Sequence, residues 1–451
     1  MASPSLAASF FLLFLTLQRA SGIGMNYGTM GTNLPSPKHA AAVLQHTLID
    51  KVKIYDTNPT ILQAFANTGI SVAVTVENAL IQNLSTGGPP AAADWFSSQV
   101  APFLPATPIT LISVGNEVLA SDSQNYDLVP AMRNIQSAVE MSGLGRRIRV
   151  STAHSMAVLG ASFPPSASTF DEKLEGVMKP LLEFLEETGA PFLVNAYPYF
   201  AYRDNPEVEL EYVLFGNATG VKDPAGYEYK NMLDAQVDAV YAAMAAWGHN
   251  GTIGVTLSET GWPSAGGKGA TPENARAYNE GVIARVRSRA GTPMRPERGL
   301  EAYLFALFDE DKKTGPPTER KFGLMRSDGS AAYGVDLSCQ FCSQEKTRPG
   351  SGSRIGRGSG ASVWCVAKPH AAEAALQEVL EFCCGEGGVD CGALYGGGAC
   401  YEPNKVHAHA SYAMNTYYQM HGRNYWNCDF KGIGLVTFTD PSYGVCQYPQ
   451  Q

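Results

Sequence analysis

From Ile23 to about Leu337, short apolar runs alternate with longer stretches whose apolar residues recur every three or four positions. The runs are Ile23–Tyr27, Val52–Tyr55, Ser71–Val76, Ile109–Val114, Ile148–Ser151, Phe192–Ala196, Ile253–Ser258 and Leu300–Phe308. Their nearly unbroken apolar character predicts strands buried on both faces, as in a parallel sheet covered by helices. Tyr126–Ser142, Asp171–Thr188, Asn231–Trp247 and Thr271–Arg289 supply helical stretches between them. Thr271 before Pro272 and Glu273 reads as a helix start, with a capping hydroxyl and then proline in the first turn. Eight such units in about 315 residues predict an α/β fold, a (β/α)8 TIM barrel. The competing open, doubly wound sheet calls for a Gly-x-Gly-x-x-Gly turn after the first strand, and none is there.

The pattern breaks after residue 337. Residues 338–361 include Arg348 to Gly360, a Gly/Ser-rich basic stretch that cannot bury a core and predicts a flexible linker. Residues 362–449 form a compact α+β module. It has an amphipathic helix with Ala372, Leu376, Val379, Leu380 and Cys383 on one side, and a second helix from about His409 to Gln419. A strand, Gly434–Phe438, and a turn through Asp440 and Pro441 follow. At the other end, residues 1–22 read as a signal peptide. The apolar stretch Ala7 to Leu17 is too short to span a bilayer, and Ala20-Ser21-Gly22 offers small residues for cleavage.

Composition narrows the function. The 451 residues carry a formal charge of −9, with no long basic stretch, which argues against nucleic acid and suits a neutral polymer. The chain ends without a hydrophobic tail, so no lipid or membrane anchor is expected, and nothing requires more than a monomer. All nine cysteines lie at or after Cys339. The first unit must therefore stand on its core alone, while the second is a disulfide scaffold of the kind found outside the cell. A secreted, cell-wall location opens Asn83, Asn217 and Asn250, each in a sequon, to glycosylation.

Two glutamates carry the candidate chemistry. Glu117 follows the run Ile109–Asn116, and Glu259 follows Gly254–Ser258 ahead of Thr260-Gly261-Trp262. A carboxyl at the end of an apolar strand is costly unless a site uses it. Two of them at strand ends point to glycoside hydrolysis, in which one carboxyl stays protonated and the other ionised.

Ser258-Glu259-Thr260-Gly261-Trp262-Pro263-Ser264 resembles the signature of glycoside hydrolase family 17, the plant β-1,3-glucanases. Ile23 to Gly28, Val52 to Asp56, Val114 to Glu117, Asn195 to Phe200 and Glu319 to Leu324 match that family in the same order. The resemblance implies retaining hydrolysis of β-1,3-glucan, with Glu117 as general acid/base and Glu259 as nucleophile. It places Glu310 and Lys313 beside them to tune their protonation. Asn116 is a candidate partner for the sugar 2-hydroxyl. Tyr55 and Tyr197 are the leading aromatic candidates for substrate binding, with Tyr27, Tyr199 and Phe200 as weaker positions, and Trp262 is a candidate either to shape the site or to lock its loop.

The module resembles family 43 carbohydrate-binding modules through Trp364 to Pro369, Cys400 to Asn404, His409 to Ala413, Cys428 to Phe430 and Asp440 to Gly444. Spacing alone leaves fifteen ways to pair six cysteines. The resemblance implies Cys365–Cys428, Cys384–Cys391 and Cys400–Cys446. Cys383 departs from that framework, and Cys339 and Cys342 add a Cys-x-x-Cys that reads as a local disulfide rather than a redox or zinc site. No metal or cofactor is expected. The chain thus reads as a secreted endo-β-1,3-glucanase acting on callose-like or fungal-wall glucan, its module holding the polymer. A non-catalytic wall-binding protein and a transglycosylase are the alternatives.

Overall fold

The computed structural model describes residues 22–45, 47–121, 125–326, 330–337, 364–368, 371–421, 425–437 and 440–450. The signal stretch up to residue 21, the linker 338–361, and Cys339 and Cys342 lie outside them. Eight parallel strands close a barrel in sequence order: β1 Ile23–Tyr27, β2 Ile49–Ile54, β3 Ser71–Val76, β4 Ile109–Asn116, β5 Arg149–Ser155, β6 Phe192–Asn195, β7 Val255–Thr260 and β8 Glu301–Leu304. Every neighbouring pair is parallel, and β8 returns to β1 through Gly24–Tyr303 and Met25–Leu304. The apolar runs are strands because both of their faces are covered. Ala73, Leu111, Ala153, Leu193 and Tyr303 fill the barrel interior, and the opposite faces of the strands join one large core with the helices.

Helix starts follow local chemistry. Thr271 accepts from Asn274 N at 3.2 Å at the head of Pro272–Arg287, and Asn231 accepts from Asp234 N at 2.8 Å at the head of Met232–Ala246. Glu175–Thr188 ends at Gly189, whose φ of 64° turns the chain out of the helix. The last predicted run, Leu300–Phe308, is shorter as a strand. Phe305 N and Leu307 N still donate to Thr260 O and Asn26 O, so that segment closes the barrel mouth without regular pairing.

The C-terminal unit contains an antiparallel pair, β9 Trp364–Ala367 with β10 Gly434–Thr437, and the helices Glu373–Cys384 and Val406–Met420. Three disulfides join Cys365 to Cys428, Cys384 to Cys391 and Cys400 to Cys446. Cys383 is a buried free thiol, which burial pushes up to about 12. Buried amide and hydroxyl groups tie the second helix to β9: Asn415 Oδ1 accepts from Cys365 N at 3.1 Å, and Ser411 Oγ accepts from Ala367 N at 3.1 Å. Among the described residues no helix is long and apolar enough to cross a membrane.

Candidate active site

Both glutamate-bearing strands lose regular register where the glutamates sit. Pairing of β4 with β5 slips between Ser113 and Asn116, and pairing of β7 with β6 slips between Leu257 and Glu259. Such irregularities re-aim side chains at a barrel rim. Gly115, at φ 73°, leaves no room for a Cβ, which would sit 2.4 Å from Val118 Cγ2. Glu117 itself takes φ 54°, a left-handed conformation costing about 1–3 kcal/mol, and its N–H is anchored on Ala153 O at 2.8 Å. Strain held in place at a carboxyl marks a site that uses that carboxyl's direction.

Glu259 lies inside β7, almost wholly buried, and three donors converge on it. Lys53 Nζ and Tyr55 Oη reach Oε1 at 3.0 and 2.7 Å, and Tyr197 Oη reaches Oε2 at 2.8 Å. Burial alone would raise its pKa. The Lys53 charge and the two phenol hydrogen bonds outweigh that and hold it below the usual carboxylate value. Glu117 is the reverse case. Burial first and the Glu259 charge second push it up, against a 2.7 Å hydrogen bond from Asn195 Nδ2 and the more distant Lys53 charge. The pKa values of two carboxyls over one cleft are thus pushed in opposite directions.

The cleft they share has a volume of roughly 1410 Å3, with Tyr55, Asn116, Tyr197, Glu310 and Lys313 in its wall. Asn116 Oδ1 accepts from Lys53 Nζ at 3.0 Å. Glu310 is buried, pairs with Lys313 at 2.9 Å and accepts from Met30 N at 3.0 Å. Its charge reaches the Tyr55 hydroxyl, whose pKa burial and Glu259 have already lifted well above the ordinary value.

Two of the substrate-contact candidates lie away from the cleft. Tyr199 and Trp262 are fully buried and do not line the cleft. Their rings meet edge to face at 5.0 Å, Trp262 packs on Tyr278 at 5.6 Å, and its Nε1 donates to Gly269 O at 2.8 Å. They lock the loop after β7 against the helices. Tyr27 is core as well, packed on Phe65 and Phe308. Phe200 does line the cleft, where it is joined by Phe305 and Phe322.

Lys53, Asn195 and Glu319 are site residues that the sequence pattern did not single out. Lys53 had a signal: a lone charge inside the apolar run Val52–Tyr55 must point at a partner in the barrel mouth. Asn195 closes β6 as the only amide of its run, and Ser258 Oγ fixes it by donating to Oδ1 at 2.6 Å. Glu319 enters the cleft from a turn far along the chain; its segment, Glu319 to Leu324, carried the family resemblance without a role for this residue. The sequon residues Asn83, Asn217 and Asn250 are all exposed.

Comparison with known proteins agrees with this geometry. The model of glycosyl hydrolases family 17 matches residues 23–337, and that of the X8 domain matches residues 363–435. A glucan endo-1,3-beta-D-glucosidase of Olea europaea is 43% identical over 97% of this chain and 97% of its own length. Glucan endo-1,3-beta-glucosidase 7 of Arabidopsis thaliana is 43% identical over 99% of this chain and 88% of its own. Among solved structures, the β-1,3-glucanase and pollen allergen CJP38 of Cryptomeria japonica superposes with a TM-score of 0.68 at 43% identity, covering 70% of this chain and 99% of that one.

Proposed function

The chain belongs to glycosyl hydrolases family 17, and from that premise we propose that it is an endo-β-1,3-glucanase that cleaves internal 1,3-β-D-glucosidic linkages with retention. The observation that carries this reading is the unlike setting of two carboxyls over one cleft: Lys53, Tyr55 and Tyr197 donate to Glu259 and lower its pKa, while burial and the Glu259 charge raise that of Glu117. Ionised Glu259 attacks the anomeric carbon while Glu117 gives its proton to the departing glycosidic oxygen. The bond to the leaving sugar breaks as the ester to Glu259 forms. Glu117, now a carboxylate, then takes a proton from water, whose oxygen displaces Glu259 and restores both groups.

On this reading Asn116, which lines the cleft wall, bonds the 2-hydroxyl of the sugar under attack. Glu310 and Lys313, paired beside Gly28 and Met30, shape the charge at the mouth and steady Tyr55 as a donor to Glu259. Phe200, half-buried in the cleft wall, offers an aromatic surface to the apolar faces of glucosyl rings, with Phe305 and Phe322 packed behind Tyr197. The C-terminal module binds the same polymer, which raises its local concentration at the cleft without entering the chemistry. Secretion to the wall fits a disulfide-stapled module and exposed sequons.

The test is product analysis on a β-1,3-gluco-oligosaccharide of defined length. Shorter products establish hydrolysis. Longer products would reassign the protein as a transglycosylase, and unchanged substrate as a binding protein. Glu259→Gln should abolish release of reducing sugar, by roughly 10⁴-fold or more, while retention on insoluble glucan persists. Undiminished hydrolysis by that variant would overturn the assignment of Glu259 as nucleophile.

A further inference from the structure

The most unusual charge in the molecule is not one of the two carboxyls. Lys53 is the penultimate residue of β2, 1% exposed, and its ammonium faces two acceptors at once: Glu259 Oε1 and Asn116 Oδ1, each at 3.0 Å. Asn116 Oδ1 also lies 3.5 Å from Asn195 Nδ2, which donates to Glu117 Oε1 at 2.7 Å. A continuous polar path therefore runs from the proposed nucleophile, through Lys53 and two amides, to the proposed acid. Ser258 Oγ fixes the second amide in place.

Resting on the retaining mechanism above, we propose that Lys53 is the positioning residue that couples the two carboxyls, holding Glu259 charged for the first step and turning Glu117 from acid to base for the second. In the free enzyme the Lys53 charge is matched by Glu259, whose negative charge helps keep the proton on Glu117. When Glu259 becomes the neutral ester and Glu117 has given its proton to the leaving sugar, that repulsion is gone. The ammonium stays where it was, without a carboxylate at 3.0 Å. Its field then favours the ionised form of Glu117, the form that must take a proton from water.

The other titratable groups facing this set have different duties. Tyr55 from β2 and Tyr197 after β6 donate to Glu259. Glu310 is neutralised by Lys313, which stands after β8 with it. Glu319 adds a negative charge that acts on Glu117 in the same sense as Glu259. Lys53 is the cation in contact with the nucleophile.

The experiment is the pH profile of kcat/KM on soluble β-1,3-glucan for the full chain and for Lys53→Met and Lys53→Arg. Loss of the charge should move the acidic limb, set by ionisation of Glu259, upward by about one pH unit or more. The alkaline limb, set by Glu117, should move upward with it, because the same cation opposes protonation there. The maximum should fall roughly 100-fold. Lys53→Arg should keep both limbs near those of the natural chain. Limbs unmoved in Lys53→Met, with only the amplitude reduced, would make Lys53 a structural residue and overturn the proposal. Should the methionine variant not melt cooperatively, Lys53→Gln serves the same comparison. A natural chain that does not cleave β-1,3-glucan would instead refute the parent reading, so the two failures are distinct.

Discussion

The two folded parts of this chain solve the same stability problem in opposite ways. The barrel, residues 23–337, contains no cysteine and is held by one continuous apolar core between strands and helices. The module, under a third of that size, buries far fewer side chains, and five of its six half-cystines are among them. A large core tolerates local cost. Among the described residues, only the barrel buries a lysine and a glutamate together, with a half-buried, left-handed glutamate beside them. The described part of the module keeps its charges outside and offers no comparable cluster, which fits a part that binds without reacting.

The sharpest way to break that contrast is to damage each part by its own means. Trp262→Ala removes a fully buried ring that packs on Tyr199, Tyr202 and Tyr278. It should cost the barrel about 3–5 kcal/mol and lower its melting temperature, leaving retention on insoluble glucan intact at low temperature. Replacing Cys365 and Cys428 together by alanine should cost the module about 2–5 kcal/mol. Glucan retention should then fail on mild warming, while hydrolysis of a soluble oligosaccharide continues unchanged. Calorimetry of the two variants should show one transition moving in each case. A barrel transition that follows the disulfide would mean the parts are not energetically separate.

These two variants also show where sequence was a sufficient guide. The apolar runs placed all eight barrel strands, because a strand buried on both faces has to be apolar throughout. The carboxyls stood out because a charge ending such a run needs a reason. Side-chain direction was harder. Tyr197 caps the short helix Pro198–Asp204 and turns into the cleft, whereas Tyr199 lies two residues on, inside its first turn. Two residues along a helix swing a side chain through more than half a turn, so adjacency in a motif misled for Tyr199. Of the two roles open to Trp262, its burial and ring contacts favour locking the loop, since the chain leaves β7 toward the helices. In the module, β9 passed unnoticed because Trp364–Ala367 is too short to show a period, and only its pairing with β10 defines it. Glu319 stood in a recognised motif, but its place in the cleft was not legible because the turn that brings it there is a tertiary arrangement.

A smaller change probes how the barrel's core is turned into chemistry. Tyr197→Phe deletes one of the three donors on Glu259 and nothing else in the core. Losing a hydrogen bond to a charged acceptor should lower kcat/KM roughly 10- to 100-fold. It should also move the acidic limb of the pH profile upward, because Glu259 would hold its proton more tightly. The melting temperature should change little. Tyr55→Phe should act in the same direction, its hydroxyl meeting the other carboxylate oxygen. No tyrosine substitution in the module should move that limb, and one that did would make the module part of the active site.

The smallest effect separates the two carboxyls by stability rather than rate. The pKa of Glu117 is raised in the folded chain, so the fold favours its protonated form. Its contribution is therefore greatest below the unfolded value of about 4.3 and is lost as pH rises through the folded value. Glu117→Gln should accordingly melt above the natural chain at neutral pH, with the gap closing in acid. The pKa of Glu259 is lowered, so its contribution is present above the unfolded value and is lost as pH falls through the folded one. Glu259→Gln should melt below the natural chain at neutral pH, since it leaves Lys53 buried without its carboxylate. Melting curves of the barrel transition at neutral and acid pH measure both signs. If the two variants shift it in the same direction, the opposed protonation of the pair is wrong, because substitution by an uncharged amide can stabilise one site and destabilise the other only where the fold treats the two charges differently.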